Sequence, residues 1–195
     1  MKIERIRPEE IERRSFEIIT DLLGEQQPPD ETAHIVKRVI HTTADLEYAE
    51  TLYFSENAAQ ILSQALAEGA HIVTDTQMAL SGINKKTLAA FGGQVHCFMA
   101  DEDVARQARE RGVTRACVSM EKAATLSVPL IFAIGNAPTA LLRLDELVRE
   151  GTVRPRLIIG VPVGFVNVVQ SKERIMNAGV PCIVAKGRKG GSNVA

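Results

Sequence analysis

Tryptophan is absent from this 195-residue chain, and its other aromatics amount to two Tyr and six Phe. Base-stacking surfaces need aromatic platforms, so a nucleic-acid partner read by stacking is not expected. An excess of either charge is missing too: 23 Lys and Arg face 24 Asp and Glu, a net charge of −1. That balance gives no general attraction to nucleic acid or to an anionic membrane surface. No uncharged apolar run approaches the roughly 18 residues of a membrane-crossing helix. The opening Met1-Lys2-Ile3-Glu4-Arg5 lacks the apolar stretch of an export signal, so a cytoplasmic protein is expected.

Cysteine is scarce. Cys97, Cys117 and Cys182 each stand alone in an apolar run, with no CxxC and no Cys/His cluster of zinc spacing. They read as reduced, buried thiols of a protein from a reducing compartment. The histidines are dispersed at 34, 41, 71 and 96, and HExxH does not occur, so no metal held by the protein is expected. Other signatures are missing as well. There is no GxGxxG after the first strand, no GxxxxGK[ST] and no GxSxG. A dinucleotide site, a P-loop and a serine-hydrolase elbow are correspondingly unsupported.

What remains is ordinary globular material, 45% apolar and 24% charged. A chain of this length buries about 70% of its unfolded surface and needs no staple. One domain over residues 1–195 is expected, since no repeat, low-complexity tract or linker interrupts it. The first third reads as helical. Pro8-Glu9-Glu10 opens a helix with Ile11, Ser15, Ile18 and Leu22 on one face, and Gly24 with Pro28-Pro29 breaks it. Asp30 or Glu31 then begins a second helix, and Glu56–Glu68 a third, closed by Gly69. Leu46 to Ser55 stays undecided, with Tyr53 and Phe54 ending a short strand or lining a pocket.

From residue 70 the pattern alternates. Short apolar runs at His71–Thr74, Gln94–Met99, Leu130–Gly135, Leu157–Val161 and Pro181–Ala185 are separated by helical stretches. Five such strands define an α/β fold, a mainly parallel sheet with helices on both faces and an N-terminal helical layer.

Ligands in such sheets gather beyond the carboxyl ends of the strands. Thr74-Asp75-Thr76, Gly135-Asn136-Ala137-Pro138-Thr139, Pro162-Val163-Gly164-Phe165 and Gly187-Arg188-Lys189-Gly190-Gly191-Ser192 fall there. Glycines, helix N-termini and two cations on one rim suit carboxylates or phosphates; the same glycines also serve simply as tight turns. Asn136 is placed to cap the helix that follows.

A second candidate lies on the helix after Asp30. With Ile35, Val36, Val39, Ile40 and Thr43 on the apolar face, His34, Arg38, His41 and Asp45 form a stripe on the other. Such a stripe is either a solvated face with i, i+4 pairs or a site for an anionic substrate that needs a proton moved. Ser15, among apolar positions, bonds back to its own helix or contacts a ligand. Arg115 opens an apolar helix, where it opposes the helix dipole unless an anion or a nearby acid offsets it.

These segments together resemble a known family. Arg14-Ser15-Phe16, the Arg38-to-Asp45 stretch, Thr74-Asp75 with Met78 and Gly82-Ile83, Gly135-Asn136-Ala137-Pro138-Thr139-Ala140-Leu141, Gly160-Val161-Pro162-Val163-Gly164-Phe165-Val166, Ser171-Lys172-Glu173 and Gly187-Arg188-Lys189-Gly190-Gly191-Ser192 are similar to the precorrin-8X methylmutase (precorrin isomerase) family. The likeness runs from about residue 10 to the end of the chain.

The resemblance implies a step of corrin (cobalamin) biosynthesis. In it a methyl group moves from C-11 to C-12 of a tetrapyrrole, giving hydrogenobyrinic acid, or cobyrinic acid when cobalt is present. It implies an α/β homodimer with its site near the subunit interface, His41 as proton donor and acceptor, and Ser15, Arg38 and Arg115 as substrate contacts. The Ile40-to-Asp45 wording is closer to the cobalt-dependent branch, and Asn84 stands where some relatives carry a pocket threonine. The chain stops at Ser192-Asn193-Val194-Ala195, where relatives continue into a further short helix. No cofactor is implied, since an intramolecular shift needs neither a redox group nor a nucleophile. A non-catalytic corrin-binding carrier is the alternative, and a nucleotide-binding α/β protein the least supported reading.

Overall fold

The computed structural model describes residues 6–195; Met1 to Arg5, read above as lacking an export signal, lie outside the described residues. The chain forms two compact units, one ending at Leu52 and one running from Tyr53 to Ala195.

In the first unit a 3₁₀ turn (Pro8–Glu10) with proline in its first turn leads into α1 (Ile11–Leu23). Gly24 ends α1 at φ 53° and donates its N–H to Thr20 O, a left-handed stop that glycine makes without steric cost. After Pro28-Pro29, α2 (Asp30–Thr43) starts with two acids in its first turn and ends at Ala44, φ 55°. The short α3 (Tyr48–Thr51) follows. On α2 the apolar face is as the periodicity predicts, with Val36, Val39 and Ile40 buried. On α1 it is not: Ile11, Ile18 and Leu22 are exposed, Leu22 at 63%, while Ile19 and Leu23 are buried. Helix α1 carries two apolar stripes. The one bearing Phe16, Ile19 and Leu23 at i, i+3 and i+7 turns inward, with Phe16 against residues of α2. Lys37 Nζ of α2 also donates to Thr20 Oγ1 of α1 at 3.0 Å.

The second unit begins within β1 (Leu52–Phe54) and continues through α4 (Ala58–Ala67), β2 (His71–Thr74), α5 (Gln77–Gly82), α6 (Lys85–Ala90), β3 (Val95–His96), α7 (Glu102–Arg111), α8 (Arg115–Ala124), β4 (Leu130–Ile134), α9 (Pro138–Arg149), β5 (Leu157–Gly160), α10 (Val168–Met176) and β6 (Cys182–Ala185). The sheet order is β1-β6-β5-β4-β2-β3. The β2–β3, β2–β4, β4–β5 and β5–β6 pairings are parallel, with Thr74 beside Ala133, and Gly160 beside both Ile134 and Val184. The sheet therefore has six strands where five were expected. The extra one, β1, is a three-residue edge element, too short to show an alternation of its own.

Strand alternation sends Phe132, Ile134, Ile158 and Val184 to one face. There they join Ala116 and Met120 of α8, Leu141, Leu144 and Leu147 of α9, and Ile175 of α10 in the main core. Ile131, Ala133, Leu157 and Ile183 are buried but outside that cluster, and α4 packs against β5. Layers on both faces explain why β4 and β6 are buried at every position. Buried Asp145 ties α9 to α10, accepting from Arg149 Nε at 2.8 Å and Arg174 Nε at 2.6 Å. Among the described residues no helix is long and apolar enough to cross a membrane. The cysteines are free; Cys182 is buried, and Cys97 and Cys117 are half-buried rather than fully enclosed.

Candidate functional site

At the carboxyl edge of the sheet the loops are locked to one another. Asp75, directly after β2, is buried, and its carboxylate accepts from the N–H groups of Gly135 (2.9 Å), Asn136 (2.8 Å) and Ala137 (2.6 Å). Asp75 therefore fixes the turn that leads into α9 (Pro138–Arg149). Asn136 is not the cap of α9, contrary to expectation: Ala137 holds that position, and no side chain caps the helix. A carboxylate with two oxygens accepts all three N–H groups of this turn, more than one local asparagine side chain can. Burial pushes the Asp75 carboxyl above its ordinary range, and the three N–H donors oppose that rise.

Thr76 Oγ1 meets Ser192 Oγ at 2.8 Å, Gly191 N–H donates to Val161 O at 2.9 Å, and Gly164 N–H donates to Arg188 O at 3.2 Å. Gly135 has no room for a side chain, because a Cβ would lie 2.7 Å from Ser192 Cα. At Gly190 a Cβ would run into the Val161 carbonyl oxygen. These glycines are thus required by close backbone approach, not only by turn geometry.

Lys172 of α10 fastens the last loop. It is 1% exposed, and its Nζ donates to Gly187 O at 2.9 Å and Lys189 O at 2.8 Å. Desolvation lowers its pKa to about 8. The rim so fixed presents exposed Lys186, Arg188 and Lys189 beside exposed Val163, Phe165 (86%) and Val166 (78%).

Arg115 stands in this unit, exposed at the first position of α8, whose cap Thr114 accepts from Cys117 N–H at 3.2 Å. Thr114 Oγ1 also donates to Thr139 Oγ1 at 2.9 Å, setting the start of α8 beside the start of α9. Among the described residues Arg115 forms no ion pair, so the acid partner considered for it is not there. The Asn84 side chain is engaged in capping α6, accepting from Thr87 N–H at 3.0 Å.

The first unit carries the other residues. Arg38 and His41, one turn apart on α2, both lie against the ring of Phe16 on α1. The Arg38 guanidinium carbon is 4.9 Å from the ring centroid, and the His41 ring is 5.5 Å away at an interplanar angle of 30°. Arg38 also pairs with Glu12 of α1. His41 is exposed, and among the described residues its ring nitrogens have no hydrogen-bond partner. Ser15 Oγ donates to Ile11 O at 2.9 Å, the helix back-bond expected as one alternative, although its stripe is exposed rather than buried.

Two members of the expected α2 stripe do not join the cluster. His34 is exposed one turn earlier, and Asp45 lies past the helix end at Thr43, where its Oδ1 accepts from Glu47 N–H at 3.1 Å. Phe16, Asp75 and Lys172 stand in segments quoted above, but the sequence assigns none of them a role of its own. Only Phe16 had a local signal, its i+3, i+7 spacing to Ile19 and Leu23. His71 and His96, remote in sequence, meet on β2 and β3 with Nδ1 2.9 Å from Nε2. Among the described residues no group of three or more His, Cys, Asp or Glu side chains is placed to hold a metal.

These features define an α/β protein whose parallel sheet ends in a rigid, cation-bearing, partly apolar rim, preceded by a helical pair that displays an arginine and a histidine. The chain belongs to the precorrin-8X methylmutase family, whose description matches residues 10–195. It is 44% identical over 189 residues to the cobalt-precorrin-8 methylmutase of Priestia megaterium, covering 97% of this chain and 84% of that one. It is 45% identical over 194 residues to the cobalt-precorrin-8 methylmutase of Salmonella typhimurium, covering 96% and 90%. A crystal structure of precorrin-8X methylmutase from Thermus thermophilus superposes with a TM-score of 0.85 at 38% identity, covering 95% of this chain and 91% of that one.

Proposed function

We propose that residues 1–195 act as one methylmutase that moves a methyl group from C-11 to C-12 of cobalt-precorrin-8, giving cobyrinic acid. The observation that carries this reading is the Arg38–His41 pair displayed on α2 of a chain in that family. The substrate is a broad macrocycle edged by carboxylates. Arg38 and Arg115 supply charge for those carboxylates, and Ser15 supplies a hydroxyl once its back-bond to Ile11 is exchanged.

His41 gives a proton to a ring nitrogen and recovers it afterwards. Protonation withdraws electron density from the conjugated system and eases migration, and imidazole is the side chain able to do both near neutral pH. The open ring nitrogens of His41 support that role. The cobalt-bearing substrate is favoured over the metal-free one because both curated relatives described above carry that name. We take the active form to be a cytoplasmic homodimer; exposed Ile11, Ile18 and Leu22 on one stripe of α1 are apolar surface of the kind that association covers.

Mixing the protein with cobalt-precorrin-8 and, separately, with metal-free precorrin-8X tests the reading, because the absorption spectrum changes as the methyl group moves. Catalytic conversion of many equivalents supports it. A spectral change that stops at one equivalent of bound corrin instead identifies a carrier.

A further inference from the structure

The α2 pair raises a question of orientation. A histidine that moves a proton is usually held by a hydrogen bond from its second ring nitrogen, which sets both ring direction and tautomer. His41 has no such bond among the described residues. Its imidazole is exposed, near the end of its helix, where an unrestrained ring samples several rotamers. What touches it is the Phe16 ring, 5.5 Å between centroids and tilted by 30°. The same ring lies under the Arg38 guanidinium at 4.9 Å.

Phe16 suits this task. It continues the inward stripe of Ile19 and Leu23 and is itself half-buried, with its ring against residues of α2. It has only two side-chain torsions, so little rotamer freedom is lost in holding the ring in place. Arg38 and His41 are i, i+3 neighbours on α2, the spacing that brings two side chains onto one patch of an adjacent surface. Glu12, one turn before Phe16 on α1, pairs with the guanidinium from the same helix. A flat ring in contact with both groups restrains them together: the guanidinium by stacking, the imidazole by ring contact.

We propose that Phe16 is a positioning residue for the methyl shift, a plate that sets the imidazole of His41 and the guanidinium of Arg38 in one fixed relation. The role rests on the reading of His41 and Arg38 given under Proposed function. It accounts for an aromatic residue at a helix position where an aliphatic one would satisfy the core equally.

The test compares F16L, F16Y, I19V and H41A in steady-state turnover of cobalt-precorrin-8, with unfolding midpoints measured in parallel. F16L keeps apolar volume and loses the ring. It should lower kcat by about tenfold or more, the scale of loss when a reacting group is misplaced, and raise KM through Arg38. F16Y should restore kcat to within about threefold of wild type, since any planar ring suffices. I19V trims the same stripe without touching either group and should leave kcat unchanged at a similar cost in stability. If F16L fails to fold, F16M takes its place.

A near-wild-type kcat for F16L or F16M, with H41A inactive, overturns the role of Phe16 and leaves the reading of His41 standing. Equal losses in F16L and I19V, or no rescue by F16Y, also overturn it. Wild-type turnover by H41A removes the reading itself and the role of Phe16 with it.

Discussion

Replacing Lys172 by Met tests whether the last loop is held by a buried charge. The ammonium is 1% exposed, and its visible partners are the carbonyl oxygens of Gly187 and Lys189, at 2.9 and 2.8 Å. Each charge-assisted bond contributes about 1.5–3 kcal/mol. Against them stands desolvation, which lowers the pKa from 10.5 to about 8; at about 1.4 kcal/mol per unit the burial costs about 3 kcal/mol. A pKa that stays depressed means the bonds offset only part of the burial, so K172M, which loses both, should unfold within about 2 kcal/mol of wild type at pH 7.

The pH dependence separates them. With the folded pKa depressed, the unfolded chain keeps a proton between pH 8 and 10.5 that the folded protein has released. Stability from this group is therefore fully present above pH 10.5 and is lost as pH falls through about 8. Urea unfolding followed by far-UV circular dichroism at pH 7, 8, 9 and 10 is the assay, since no tryptophan is present as a fluorescence probe. The wild-type-minus-K172M difference should rise by about 1.4 kcal/mol per pH unit above pH 8, toward a total of about 3 kcal/mol. A difference that stays flat or falls over that range refutes the depressed pKa, because the folded protein would then hold the Lys172 proton at least as tightly as the unfolded chain does.

Two further outcomes follow from the same contacts. D75N should lower the unfolding free energy by about 2 kcal/mol, because an amide must turn its NH₂ toward at least one of the three N–H groups that the carboxylate now accepts; a denaturant midpoint shifted at constant m value is the check. R38A should raise KM for the polycarboxylate substrate by about tenfold or more, the loss of one charge-assisted bond. Its stability should change by less than about 1 kcal/mol, since the Arg38–Glu12 pair is exposed.

Most of the framework was legible in local patterns, and the exceptions share a physical cause. Strands β2, β4, β5 and β6 and helix α2 were readable because each has enough residues to display a period and a boundary signal, such as Asp30 at the start of α2. Leu52–Phe54 has three residues and no period. Asn136 carries the local signature of a cap, yet the cap position falls to Ala137, and the Asn136 N–H goes to Asp75, 61 residues away in sequence, a partner that no spacing rule reports. Helix α1 holds two apolar stripes, and what α2 presents decides which is buried, so the sequence of α1 alone does not show that Ile19 and Leu23 turn inward while Ile11, Ile18 and Leu22 stay exposed. Arg38 and His41 were visible as a pair on one helix. The ring that joins them was not, because it comes from the other helix.

The most direct measurement is turnover of cobalt-precorrin-8 by the wild-type protein and by H41A, followed spectroscopically with product binding recorded alongside. The account predicts catalytic conversion by the wild type, and in H41A an intact fold and retained product binding with turnover abolished. Wild-type-like conversion by H41A, or a wild-type protein that binds the corrin and never converts it, would contradict it.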